Sequence, residues 1–198
     1  MANILVACNN DPGTNLHDFL QSCADEARQI CVDNTHNYTL VEVPQLTEHN
    51  VISAMSNHQV CVIAAHGDAD GVYNENDADV VTTHTTNYIF ANKGFYSISC
   101  SCAQNLCPEL MRIGLSIFVG YDAPFYVGDC ENAFLDCAIE GLNHLLKGHT
   151  KAVVHKAMLD KFDDVIKTLS FKDRLLLLHN KEHLIFAGED CISLNCLA

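Results

Sequence analysis

Residues 60–66, VCVIAAH, constrain the fold more than any other stretch. Six apolar residues in a row leave no polar face for solvent, so a strand built from them is buried on both sides. Such strands lie inside parallel sheets covered by helices front and back. The run stops at His66, and Gly67 follows at once. Glycine has no Cβ, so another group can come close to the backbone there.

Shorter patterns supply the rest of an α/β alternation. Strands are expected at 3–7 (NILVA), 38–43 (YTLVEV), 95–99 (FYSIS), 115–121 (LSIFVGY) and 183–188 (HLIFAG). Between them lie helix patterns at 16–31, from a Thr47 cap, at 105–114 with Gly114 closing it, and at 171–180. Two more fall between Asp129 and Leu169, with Gly148 dividing them. Residues 67–87 are rich in Gly, Asp, Asn and Thr and read as a long loop, with a β-hairpin around DVVTTHTT. The expectation is a single domain over 1–198, a mainly parallel sheet with helices on both faces.

With 198 residues, the chain has length enough for one ample core. A formal charge of −14 argues against nucleic-acid and anionic-membrane partners, because both need a basic face. The start of the chain has no basic flank and only a five-residue apolar run, so no export signal is expected. Nothing approaches the length of a membrane-spanning helix. The eleven cysteines are odd in number and scattered through helix and strand patterns. They read as reduced thiols in a cytoplasm.

In parallel α/β sheets, sites gather at the C-terminal ends of the strands. Two chemistry-bearing residues fall there, His66 after VCVIAA and Cys100 after FYSIS. A cysteine attacks as its thiolate and needs a base within reach. A histidine can take that proton and return one to a leaving amine. The Gly67 N–H can face a carbonyl oxygen that gains negative charge, and the Cys100 N–H is a candidate second donor.

A strand ending in His-Gly, followed about 34 residues on by a strand ending in a small residue and Cys, resembles the caspase-like cysteine peptidases. SCSCAQNLCPELMRIGLSIFVGY (99–121) is similar to the stretch in bacterial CHAT-domain and gingipain-like members in which the nucleophile precedes a helix, a Gly and a strand ending Gly-Tyr. HLIFAGEDCISL resembles that group's last core strand. The likeness runs from about 57 to 195. It implies a three-layer caspase-like fold, Cys100 as nucleophile, His66 as base and Gly67 as oxyanion donor. It also implies a protein substrate, a role in bacterial immunity or cell death, and a possible activating partner. No cofactor is implied. The sequence departs from the caspase signature Gln-Ala-Cys-x-Gly, reading Ile98-Ser99-Cys100-Ser101-Cys102, so Cys102 stands as the alternative nucleophile.

Caspases grip an aspartate with arginines. Here the three arginines, Arg28, Arg112 and Arg174, sit on helix patterns away from the strand ends. Acidic residues lie near the site in sequence instead: Asp68, Asp70, Asp122 and Asp129. Cleavage after Arg or Lys is therefore expected, with Asp122 and Asp68 as the candidate substrate-binding carboxylates.

Each feature also has a plainer reading. A His at a strand end is commonly just packed, and a Cys after a strand is commonly a small buried hydrophobe. A zinc site from His66, Asp68, Asp70, His84, Cys100, Cys102 and Cys107 lacks the usual C-x₂-C or H-x₃-H pairs. DADGVYNEND lacks the final glutamate of a calcium loop. Cys8, Cys23, Cys31, Cys130 and Cys137 read as core, and His144, His149 and His155 as surface or satisfied. Two functions remain: a Cys-His endopeptidase, or an inactive domain of the same fold that binds a partner through an acidic face.

Overall fold

The computed structural model of the chain describes residues 1–85 and 87–198. Its main sheet has six strands in the order β2-β1-β3-β7-β8-β9. These are β1 (Asn3–Cys8), β2 (Asn37–Glu42), β3 (Val60–Ala64), β7 (Gly94–Ile98), β8 (Ile117–Tyr121) and β9 (Leu184–Gly188). The first five pair in parallel, and only β9 runs antiparallel, against β8. β3, the uninterrupted apolar run, lies between β1 and β7 with every residue buried.

Strand alternation divides the core into two layers. Val60, Val62 and Ala64 face one cluster together with Ile4, Val6, Tyr96 and Ile98. That layer is closed by α1 (His17–Asp33), α4 (Glu131–Leu146), α5 (Lys151–Ile166) and Leu177 of α6 (Phe171–Glu182). Cys61, Ile63 and Ala65 face the other cluster, beneath α2 (Glu48–Met55) and α3 (Leu106–Arg112).

Helix boundaries follow local chemistry. The Thr47 hydroxyl accepts the Asn50 N–H at 3.3 Å and starts α2. Gly114 beyond α3 and Gly148 between α4 and α5 hold φ of +99° and +81°, where a side chain would be strained.

Residues 67–87 differ from the expected loop. β4 (His66–Gly67), β5 (Gly71–Tyr73) and β6 (Asp79–Thr82) form a separate three-stranded antiparallel sheet. It buries Val72, Val80 and Val81 over α2's layer of the core. Three valines are enough of an apolar face to fold the segment down, despite its turn-rich composition. The hairpin expected over 79–86 is displaced: β6 pairs back onto β5 as the second strand of a hairpin over 71–82, and Thr86 lies outside the described residues. One smaller expectation also changes. Cys130 is exposed and outside the core. On α6 only Leu177 of the leucine run is buried, with Leu175 and Leu178 facing solvent.

Candidate active site

The register of β3 against β7 pairs Ala64 with Ile98, and the ladder extends one step through an Ala65 N–H to Ile98 C=O bond of 3.4 Å. Two residues beyond each partner come His66 and Cys100. Cys100 packs on the α1/α4 face. β3 ends at Ala64, and Ala65 bends the chain so that His66 begins β4 of the second sheet. Both residues are half-buried at the C-terminal edge of the sheet, where the strand ends open to solvent.

Gly67 is required by contact. A Cβ there would stand 2.9 Å from the Cys100 carbonyl oxygen and 3.0 Å from Ser99 Cβ. The backbone of His66-Gly67 therefore lies directly against that of Ser99-Cys100. β4 pairs with β5 as His66 with Tyr73 and Gly67 with Val72, and the Asp68 N–H bonds the Gly71 carbonyl at 3.0 Å. In an antiparallel ladder, bonded and non-bonded pairs alternate. Asp68 and Gly71 are a bonded pair, so Gly67 and Val72 are not, and the Gly67 N–H points away from the hairpin. The Cys100 N–H has no acceptor among the described residues. The same holds for the His66 ring, so no third side chain orients the imidazole.

The Cys100 sulfur faces a single residue of the segment after β8. The Phe125 N–H donates to Sγ at 3.3 Å, and the thiol reaches the Phe125 carbonyl at 3.8 Å. Ser101 then turns the chain through φ +55°, a left-handed conformation that costs a non-glycine residue about 1 kcal/mol or more. Bonds from Ser101 N–H to Ala123 C=O and from Ala103 N–H to Tyr121 C=O, both 2.9 Å, hold that elbow.

The elbow sends Cys102 to the opposite face of the sheet. It has no solvent exposure and sits in the α2/α3 core, with its thiol 3.2 Å from the Ser97 hydroxyl. Burial pushes the Cys102 thiol up to about 11. Two other polar groups end in the same region unpaired: Asn9 Nδ2 and Ser99 Oγ are buried with no hydrogen-bond partner.

The acidic residues are all engaged. Asp68 Oδ1 accepts from the N–H groups of Asp70 and Gly71, at 2.8 and 3.2 Å, and from the Tyr73 hydroxyl at 2.9 Å. That carboxylate shapes the β4–β5 turn. Asp70 accepts from the Asn105 amide, and Asp129 pairs with Lys172. Asp122, half-exposed at the end of β8, lies 2.8 Å from His183 Nδ1. It adjoins the elbow, since Ala123 is the acceptor for Ser101.

Among the described residues, no three His, Cys, Asp or Glu side chains gather in a way that could hold a metal ion. All eleven cysteines are free thiols. The arginines lie on α1, α3 and α6, and Arg28 and Arg112 are paired with Asp25 and Glu109 on their own helices. Among the described residues no helix is long and apolar enough to cross a membrane.

Three residues of the site were not singled out from sequence: Phe125, His179 and Asn180. The signal for Asn180 was present. It lies three and seven residues after Leu177 and Asp173, on the one face of the helix that is buried, and a buried polar residue needs a specific partner. Phe125 acts through its backbone, which leaves no mark on residue type. No protein-family model matches the sequence. No curated protein matches it either.

Proposed function

We propose that this chain is a cysteine endopeptidase of caspase-like fold, with Cys100 as nucleophile and His66 as base. The observation that carries the reading is the contact at Gly67, which brings the backbone of the His66 strand end against that of the Cys100 strand end. The six-stranded, mainly parallel sheet with helices on both faces is compatible with that fold. Cys102 is the weaker nucleophile, because a thiol held at about 11 inside an apolar layer is protonated at neutral pH and out of reach.

The reaction then runs as follows. His66 takes the Cys100 proton and Sγ attacks the scissile carbonyl carbon, forming a C–S bond while the carbonyl π pair moves onto oxygen. The Gly67 and Cys100 N–H groups are the donors for that oxyanion. Its collapse breaks the C–N bond, and His66 gives its proton to the leaving amine. Water, deprotonated by His66, attacks the thioester and releases the carboxylic acid and the thiol.

The substrate of this reading is a protein cut after Arg or Lys. Asp122 is better suited than Asp68 to meet the basic side chain. It lies next to the elbow and shares its carboxylate with one imidazole, whereas Asp68 Oδ1 already takes three donors. The test is hydrolysis of a peptide library by wild type and Cys100→Ala. Turnover after Arg or Lys, lost in the variant, supports the reading. Turnover after acidic residues would discard the proposed specificity, and none under any condition would favour the partner-binding alternative.

A further inference from the structure

The Cys100 sulfur lies against two consecutive peptide units, 124–125 and 125–126, and neither is held in place by Cys100 alone. The single cis peptide bond among the described residues is Val43–Pro44, so both units are trans. In a trans peptide the C=O and N–H point in opposite directions. The near end of the first unit is the Phe125 N–H, 3.3 Å from Sγ. Its far end, the Pro124 carbonyl, lies 3.1 Å from His179 Nε2, which must be the donor because a carbonyl only accepts. The near end of the second unit is the Phe125 carbonyl, 3.8 Å from Sγ. Its far end, the Tyr126 N–H, donates to Asn180 Oδ1 at 2.9 Å, and Asn180 Nδ2 returns a bond of 2.7 Å to the Tyr126 carbonyl.

Two adjacent residues of α6 thus hold the outer ends of the two peptide units whose inner ends meet the sulfur. Asn180 has no solvent exposure, and both of its polar groups are spent on this one backbone segment. The His179 ring is itself braced, 4.9 Å from the Tyr126 ring and 4.4 Å from His183. Of the two contacts at sulfur, the N–H is the shorter by half an ångström. A donor aimed at a sulfur acceptor fixes where that sulfur sits, so the placement of the Phe125 N–H sets the placement of Sγ.

We propose that His179 and Asn180 are positioning residues for Cys100, which fix peptide units 124–125 and 125–126 so that the Phe125 N–H stays on the sulfur and holds Sγ where it can react. The proposal rests on Cys100 as the working thiol, but its test does not need peptidase activity. Iodoacetamide alkylation is followed across pH by peptide mass spectrometry, in wild type, His179→Ala, His179→Gln and Asn180→Ala.

In both alanine variants the Cys100 rate–pH profile is expected to drop, with alkylation about tenfold slower at neutral pH. His179→Gln, which keeps an N–H donor, restores most of the rate. The exposed thiols Cys130 and Cys191 stay unchanged, and buried Cys102 stays unlabelled, which separates a local effect from general loosening. Superimposable Cys100 profiles in wild type and His179→Ala would overturn the proposal. That half-exposed position still decides the matter if Asn180→Ala, at a buried site, fails to fold. A moved profile in a chain that cleaves no peptide leaves the positioning role standing and removes the peptidase. Cleavage with unmoved profiles does the reverse.

Discussion

Cys100 and Cys102 are two residues apart and lie in opposite regions of the molecule. Cys100 ends on the α1/α4 face at the open edge of the sheet, with a backbone N–H directed at its sulfur. Cys102 ends in the closed α2/α3 layer, against Ser97, with its thiol pushed up by burial. The difference comes from one elbow, Ser101 at φ +55°. Residue type alone gives both positions the same chemistry. Their surroundings leave one thiol at the open edge and pack the other inside the core.

Substitution is the strongest way to break that contrast. Cys100→Ser is expected to lower peptide cleavage by about 10⁴-fold or more, while Cys102→Ala keeps most of it, both measured as kcat/KM. His66→Ala, which removes the proposed base but not the proposed nucleophile, should cost about 10²–10⁴-fold in kcat. Gly67→Ala comes next. Its Cβ would overlap the Cys100 carbonyl oxygen, so the two strand ends must separate and the proposed oxyanion donors move with them. A loss of roughly 10²-fold in kcat is expected, with the circular dichroism spectrum retained.

A subtler contrast is carried by pH. Burial raises Cys102 to about 11 and Cys8, Cys31, Cys61, Cys107 and Cys137 to about 12, from an ordinary value of 9.0. These groups are acids whose neutral form is favoured in the folded chain. Their stabilising effect is complete below pH 9 and is lost as pH rises through 11 to 12, because the unfolded chain ionises first. Thermal unfolding should therefore show a falling Tm above pH 9. A Tm flat to pH 11 would mean that these thiols are solvated. The smallest expected effect is on stability alone: Cys102→Ala removes one buried sulfur and should cost on the order of 1 kcal/mol in denaturant titration.

Most of the sheet was legible because β1, β3, β7 and β8 are short apolar runs bounded by polar turns, a pattern with few other uses. The small β4–β5–β6 sheet was not, since Val72, Val80 and Val81 are too few to outweigh the Gly, Asp and Asn around them until the core beneath is known. At the site, His66, Gly67 and Cys100 could be read from their places at strand ends. The support around them could not. Phe125 contributes backbone groups, Asp68 is spent on its own turn, and His179 and Asn180 reach Cys100 through peptide units some 55 residues away in sequence. Long-range contacts of that kind exist only once the sheet has brought β8 and α6 together.

The account depends most directly on which thiol reacts with a substrate-like electrophile. A peptidyl chloromethyl ketone with Arg before the warhead, followed by mass spectrometry of the digested protein, asks that question in one experiment. The account predicts a single adduct on Cys100 that disappears in His66→Ala. An adduct on Cys102, or on an exposed thiol such as Cys130 while Cys100 remains free, would contradict it.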